Sequence, residues 1–125
     1  MKELQIYQCL KCNKVVEVLD PGKCPMACCG EDMELLTANT TDAATEKHVP
    51  VIKRKDGKIT VKVGSTTHPM SAEHLIQWIA LVTDNKVQRV DLTPADEPKA
   101  EFVDEGGPVA AYEFCNLHGL WKAEA

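Results

Sequence analysis

The sequence predicts a mostly β protein in two parts, a small metal-stapled unit followed by an antiparallel β-sandwich. Three observations carry this. Five of the six cysteines fall between residues 9 and 29, in a stretch too short to be held folded by burial alone. The segment Lys58–Val63 alternates strictly between polar and apolar residues, which puts Ile59, Val61 and Val63 on one face. Turn formers then recur at Gly64, Asn85, Pro94, Pro98 and Gly106-Gly107-Pro108, the rhythm of short antiparallel strands.

In chain order, Ile6-Tyr7 leads into Cys9-Leu10-Lys11-Cys12, and residues 15–19 read as a short strand closed by the turn Asp20-Pro21-Gly22. This first unit spans 1–36, the small polar stretch 37–42 reads as a linker, and the second unit spans 43–125. Within it, Val49-Pro50-Val51-Ile52 and 58–63 form a hairpin through Asp56-Gly57. Residues 87–92 and 109–114 are further strand candidates. Segment 75–82 fits a helical stripe through Leu75, Ile76, Ile79 and Val82, but also a strand face through Ile76, Trp78, Ala80 and Val82; its β-rich surroundings favour strand. The acidic segment 96–105 reads as a solvated loop.

Composition narrows the function classes. The chain has 125 residues and a formal net charge of -5, and lacks the basic surface of a general nucleic-acid binder. Aromatic residues make up only 5%, so the core must be aliphatic. No apolar run approaches the ~20 residues that span a bilayer, and the first residues lack a signal-peptide pattern. The expected location is cytoplasmic, where six cysteines point to metal or redox chemistry rather than disulfides.

Cys9-x-x-Cys12 with Cys28-Cys29 offers four thiolates, and soft sulfur selects iron or zinc. Side chains of adjacent residues diverge, so the Cys28-Cys29 pair should distort a tetrahedron. Cys24 is a fifth thiol, and a set of Cys9, Cys12, Cys24 and either Cys28 or Cys29 is an alternative on spacing alone. A structural zinc is the other reading of this cluster.

All four histidines belong to the second unit: His48 in Glu46-Lys47-His48-Val49-Pro50, His68 in His68-Pro69-Met70, then His74, then His118 in Cys115-Asn116-Leu117-His118. Four imidazoles and a thiolate exceed what tetrahedral zinc takes, but suit a five-coordinate iron with one position open to a small substrate. Between residues 47 and 62 there are six basic side chains and one acid, a local positive charge that can steer anions. For residues 53–58 a plain solvated hairpin is the simpler account.

Taken together these motifs resemble desulfoferrodoxin, the two-iron superoxide reductase family, over nearly the whole chain. Cys9-x-x-Cys12, Cys28-Cys29-Gly30-Glu31-Asp32-Met33, Glu46-Lys47-His48-Val49-Pro50, Val63-Gly64-Ser65 with His68-Pro69-Met70, and Cys115-Asn116-Leu117-His118-Gly119 match in order. The resemblance implies a desulforedoxin-like first domain and an immunoglobulin-like sandwich of seven strands. It implies one iron held by Cys9, Cys12, Cys28 and Cys29. It implies a second held by His48, His68, His74 and His118 with Cys115 as axial thiolate, and no cofactor beyond these metals. Glu46 matches a carboxylate that can take the sixth position in the oxidised state, and Lys47 a residue that attracts superoxide and assists protonation. The implied activity is one-electron reduction of superoxide to hydrogen peroxide without dioxygen release, a detoxification suited to an anaerobe. An external carrier such as rubredoxin would re-reduce the iron, and the family is commonly a homodimer. Cys24 is not required by the family pattern. Two other classes make different predictions: a pure electron carrier would bind no anion at its iron, and a zinc-stabilised interaction module would be colourless.

Overall fold

The computed structural model describes residues 1–41, 48–64 and 68–125, so Glu46, Lys47 and Ser65 lie outside the described residues. The chain divides into two compact units, Glu3–Thr37 and Ala38–Ala125, the latter joined by Met1–Lys2. The described residues contain strands and turns and no helix, hence none long and apolar enough to cross a membrane.

The first unit holds five short strands: β1 (Ile6–Gln8), β2 (Val15–Glu17), β3 (Ala27–Cys28), β4 (Glu31–Asp32) and β5 (Glu34–Leu35). They form a β2-β1-β5 sheet and a separate β3-β4 hairpin. Little here is buried beyond Leu4, Ile6 and Cys9. With so few apolar side chains removed from water, at about 1.5–3 kcal/mol each, burial cannot hold this unit and the cysteines must.

The second unit carries β6 (Pro50–Lys55), β7 (Lys58–Val63), β8 (Ile76–Val82), β9 (Val87–Asp91), β10 (Lys99–Val103), β11 (Ala110–Cys115) and β12 (Gly119–Glu124). These seven strands make two antiparallel sheets, β10-β7-β6 and β12-β11-β8-β9. The aliphatic core lies between them: Ile59, Val61 and Val63 from β7 meet Ile79 and Leu81 from β8, with Phe102 and Ala111. The mostly β sandwich expected from alternation and turns is therefore present. The hairpin at Asp56-Gly57 has positive φ at both loop residues (53° and 75°), the two-residue turn whose twist matches its strands.

Segment 75–82 is a strand, and its surroundings decide it. As β8 it lies between β11 and β9, with Ile79 and Leu81 facing the core while Trp78 stacks on Phe114 across the other face at 6.1 Å. The reading of 96–105 as a loop is corrected. Lys99–Val103 is β10, paired along its whole length with β7, and Ala100 and Phe102 turn inward between exposed Lys99, Glu101 and Val103. Two inward apolar residues suffice for an edge strand, and the acids around them hid the alternation. Within the stretch read as linker, Asn39 pairs with β12: its N–H donates to the Leu120 carbonyl (2.9 Å) and its carbonyl accepts from Lys122 N–H (2.9 Å). Arg54 forks onto Asp104 (2.9 and 2.6 Å) and donates to the Gly107 carbonyl (2.8 Å), fixing β6 to the loop that follows β10.

Candidate metal centres

In the first unit, Cys9, Cys12, Cys28 and Cys29 each offer a sulfur, and these atoms lie within 4.8 Å of one another. Cys9 and Cys12 sit in a knuckle closed by Cys9 N–H donating to the Lys14 carbonyl (2.9 Å) and Asn13 N–H donating to the Cys9 carbonyl (2.8 Å). Cys28 ends β3, and Cys29-Gly30 is the two-residue turn into β4, both in the left-handed region (φ 54° and 78°). That turn answers the objection that neighbouring cysteines diverge. Left-handed backbone at Cys29 brings its sulfur to 3.9 Å from that of Cys28, at a local cost of about 1–2 kcal/mol for a side-chain-bearing residue. Cys24 is not in the group; it lines a separate small cleft with Tyr7, Met26 and Met33.

The chemistry of this donor set calls for a cation. The Cys9 thiol is brought down to about 7, chiefly by the backbone N–H of Cys12. Cys29 is pushed up to about 12, chiefly because its proton is shared with Cys12, and Cys28 is raised by the same neighbour. Four sulfurs this close cannot all ionise on their own, whereas a thiophilic metal ion neutralises them together.

In the second unit, His48, His68, His74, Cys115 and His118 form the other group within 4.8 Å. They come from strand ends and from the connections between strands. His48 precedes β6, His68 and His74 lie between β7 and β8, Cys115 closes β11, and His118 is in the turn to β12. The four rings close a square. Successive centroids are 4.6 Å (His48–His68), 4.7 Å (His68–His74), 5.0 Å (His74–His118) and 4.7 Å (His118–His48), each pair edge to face. Cys115 Sγ is 3.7 Å from both His68 Nε2 and His118 Nδ1, the nitrogens of two opposite corners. The sulfur is therefore equidistant from two opposite corners.

The nitrogens are aimed at a common point. His68 Nδ1 donates to the Pro69 carbonyl at 2.6 Å, which leaves the Nε2 lone pair for the centre. That Nε2 is 3.0 Å from His48 Nε2. Two imidazole nitrogens at right angles around one ion, at a typical distance of about 2.1 Å, have this separation. Four imidazoles and one thiolate thus fit a single iron-sized ion as a five-donor set. His48, His68 and Cys115 are buried while His118 is exposed, so the group opens to water on one side.

Three supporting residues carried no signal in the spacing. Trp121 stacks on His48 (4.8 Å, 17°) and donates its Nε1–H to the His118 carbonyl at 3.1 Å. Asn116 clamps the chain either side of His74: its Oδ1 accepts from Leu75 N–H (3.0 Å) and its Nδ2 donates to the Glu73 carbonyl (2.8 Å). Glu113 is wholly buried on β11, two residues ahead of Cys115. Asn116 lies inside the Cys-x-x-His motif, so adjacency alone could have marked it.

Fold and sites define a class: an all-β protein with one four-sulfur metal centre and one centre of four imidazoles and a thiolate. Comparison with known proteins agrees. The desulfoferrodoxin family matches residues 40–124, and the desulfoferrodoxin N-terminal domain matches residues 1–36. The chain is 50% identical over 123 residues to a desulfoferrodoxin of Syntrophotalea carbinolica, covering 98% of each. It is 37% identical to a superoxide reductase of Pyrococcus horikoshii, covering 70% of this chain and 93% of that one. Among solved structures, the superoxide reductase of Treponema pallidum superposes with a TM-score of 0.79 at 32% identity, over 97% of this chain and 98% of that one. The chain belongs to the desulfoferrodoxin family, and its two donor groups match the two-iron arrangement of that family.

Proposed function

We propose that this chain is a superoxide reductase, converting superoxide, one electron and two protons into hydrogen peroxide without releasing dioxygen. The observation that carries the reading is the convergence of four imidazoles and one sulfur, a five-donor set one short of an octahedral six. Superoxide reductase is also the name of its relative in Pyrococcus horikoshii and of the structure from Treponema pallidum.

Cys9, Cys12, Cys28 and Cys29 would hold one iron, and His48, His68, His74, His118 and Cys115 the second. Iron held there would supply a one-electron couple for superoxide. The Cys115 thiolate would donate electron density to that iron and so tune its reactivity, the lever by which a thiolate ligand also tunes haem iron. His68, oriented by the Pro69 carbonyl, and His48, backed by Trp121, hold the square rigid through the cycle. Exposure on the His118 side gives protons from water a path to the reacting oxygen. Lys47 would attract the anion and deliver a proton, and Glu46 would supply a carboxylate to the oxidised iron. The oxidised site is re-reduced by an external electron carrier of the rubredoxin kind, and the chain works as a homodimer. The chain works in the reducing cytoplasm, where cysteines serve metals rather than disulfides.

The test is metal content per chain, an optical spectrum in both oxidation states, and a superoxide assay that measures peroxide and dioxygen together. Two irons, a charge-transfer band that appears at the second on oxidation, and peroxide without dioxygen are expected. Zinc at both sites in protein made with ample iron, or a saturated iron that binds no anion, would overturn the reading. Lys47→Ala should slow the reaction with superoxide and flatten its dependence on ionic strength; unchanged values would remove Lys47 from that role.

A further inference from the structure

The outer face of the β10-β7-β6 sheet takes no part in the chemistry above, and its charge is unlike that of the rest of the molecule. Lys53, Lys55, Lys58, Lys62 and Lys99 are all exposed on it, against Glu101 on the strands and Glu97 at the rim, in a chain whose net charge is -5. The register sets Lys62 directly opposite Lys99, and Lys55 directly opposite Lys58. Like charges in facing positions weaken a sheet, so folding gains nothing from this arrangement. Among the described residues, Lys99 alone of the five forms an ion pair, with Glu97 at 3.1 Å.

The face is also shaped. Lys53, Lys62 and Lys99 border a cleft of about 400 Å3 whose other lining is Val51, Thr60, Pro98 and Glu97, the last paired with Lys99. A small apolar patch ringed by lysines is the make-up of a weak, electrostatically steered protein contact. Its position matters as much as its charge. Val51 follows His48 by three residues, so its Cα lies within about 11 Å of the Cα of His48.

We propose that this lysine-rimmed cleft is the docking surface for a small acidic electron-transfer protein, which delivers its electron to the four-imidazole site along the His48 edge. The proposal rests on the superoxide reductase reading, which requires an outside one-electron reductant. In the step, the carrier loses one electron and the ferric iron becomes ferrous, with no bond or proton transferred. Charge complementarity selects the occupant. A second copy presenting the same face would be repelled. A nucleic acid would meet only a handful of lysines on a chain that is acidic overall. An acidic carrier is repelled elsewhere and held here, which fixes orientation as well as affinity.

The test compares the iron-loaded parent with a triple charge reversal, Lys53→Glu, Lys62→Glu and Lys99→Glu, and with the milder triple change to Gln. Zinc-substituted rubredoxin serves as a redox-inert probe of binding at low ionic strength, and reduced rubredoxin as a probe of re-reduction by stopped flow. The reversal should weaken binding and slow re-reduction by about tenfold or more and flatten the salt dependence of both, with the Gln variant in between. Hexaammineruthenium(II), a small cation that needs no docking face, should re-reduce the variants no more slowly than the parent. Parent-like binding in both variants would overturn the proposal. So would a parent that prefers a short DNA duplex at this face, or a reversal that lowers only the rate with superoxide, which would make the face a substrate-steering device. Failure of the enzymatic reading is separable, because a parent that makes no peroxide would still report on docking through the zinc-substituted probe.

Discussion

Replacing Asn116 by Ala tests whether the imidazole square is built or merely permitted by the fold. Asn116 holds the backbone on both sides of His74, accepting from Leu75 N–H at 3.0 Å and donating to the Glu73 carbonyl at 2.8 Å. Each such bond is worth about 0.5–1.5 kcal/mol. Because the Glu73 end is exposed, the pair falls in the lower half of that range, about 1–2 kcal/mol in all. For a unit the size of Ala38–Ala125 this lowers Tm by roughly 5–10 °C. The larger effect falls on the metal. Loss of a residue that orients a ligand typically costs about 10–100-fold in affinity, and His74 loses its clamp while Asn116 N–H still meets the Leu75 carbonyl at 3.3 Å. Iron release to a chelator, followed at the thiolate band of the oxidised protein, measures the affinity term, and a thermal melt measures the fold. Asn116→Asp keeps the acceptor and loses the donor, and should lie between parent and Ala. An Ala variant that gives up iron at the parent rate, with Tm within about 1 °C, would show that His74 is oriented by other means.

Three further outcomes follow from the same geometry. Cys115→Ser should abolish the charge-transfer band of the second iron while the colour of the four-sulfur centre persists; an unchanged spectrum would remove Cys115 from the coordination sphere. Cys24→Ser should leave iron content at the four-sulfur site unchanged, since Cys24 lines a different cleft, and loss of that iron would reinstate it as a ligand. The third concerns acid. Arg54 and the N–H of Gly106 hold the Asp104 carboxyl below its ordinary range, so folding gains from this group above the ordinary carboxylate pKa of about 4 and loses the gain as pH falls through the depressed value. Asp104→Asn should therefore destabilise at neutral pH and flatten the acid limb of a Tm-against-pH curve; parallel curves for variant and parent would refute the linkage.

The parts of the fold legible in the sequence are those where one physical rule acts alone. Residues 58–63 alternate because one face of β7 meets the core and the other meets water, and Asp56-Gly57 supplies the two left-handed residues its hairpin demands. The donor sets were legible for the same reason, since thiols and imidazoles so concentrated have little else to do. What stayed hidden involves two rules in conflict. In β10, Ala100 and Phe102 obey the core while their neighbours obey the solvent, and the charge masks the alternation. In β12 the inward pattern is blurred, because Leu120 and Trp121 are adjacent and both buried, Trp121 serving His48. Cys29 is a ligand at a position whose backbone favours Gly or Asn, so local propensity argued against the placement that the hairpin enforces. Asn116 stands out by adjacency inside Cys-x-x-His, but its role needed the contact between the chain at His74 and the turn after β11.

The donors of the four-imidazole site are drawn from both sheets. His48 leads into the three-stranded sheet and His68 leaves it, whereas Cys115 and His118 belong to the far end of the four-stranded one. An ion held there is therefore a rivet through the sandwich as well as a reaction centre. Its binding energy counts towards folding, growing by about 1.4 kcal/mol for every tenfold rise in free iron above the dissociation constant. Stripping the ion would therefore loosen the packing of one sheet on the other as well as empty the site.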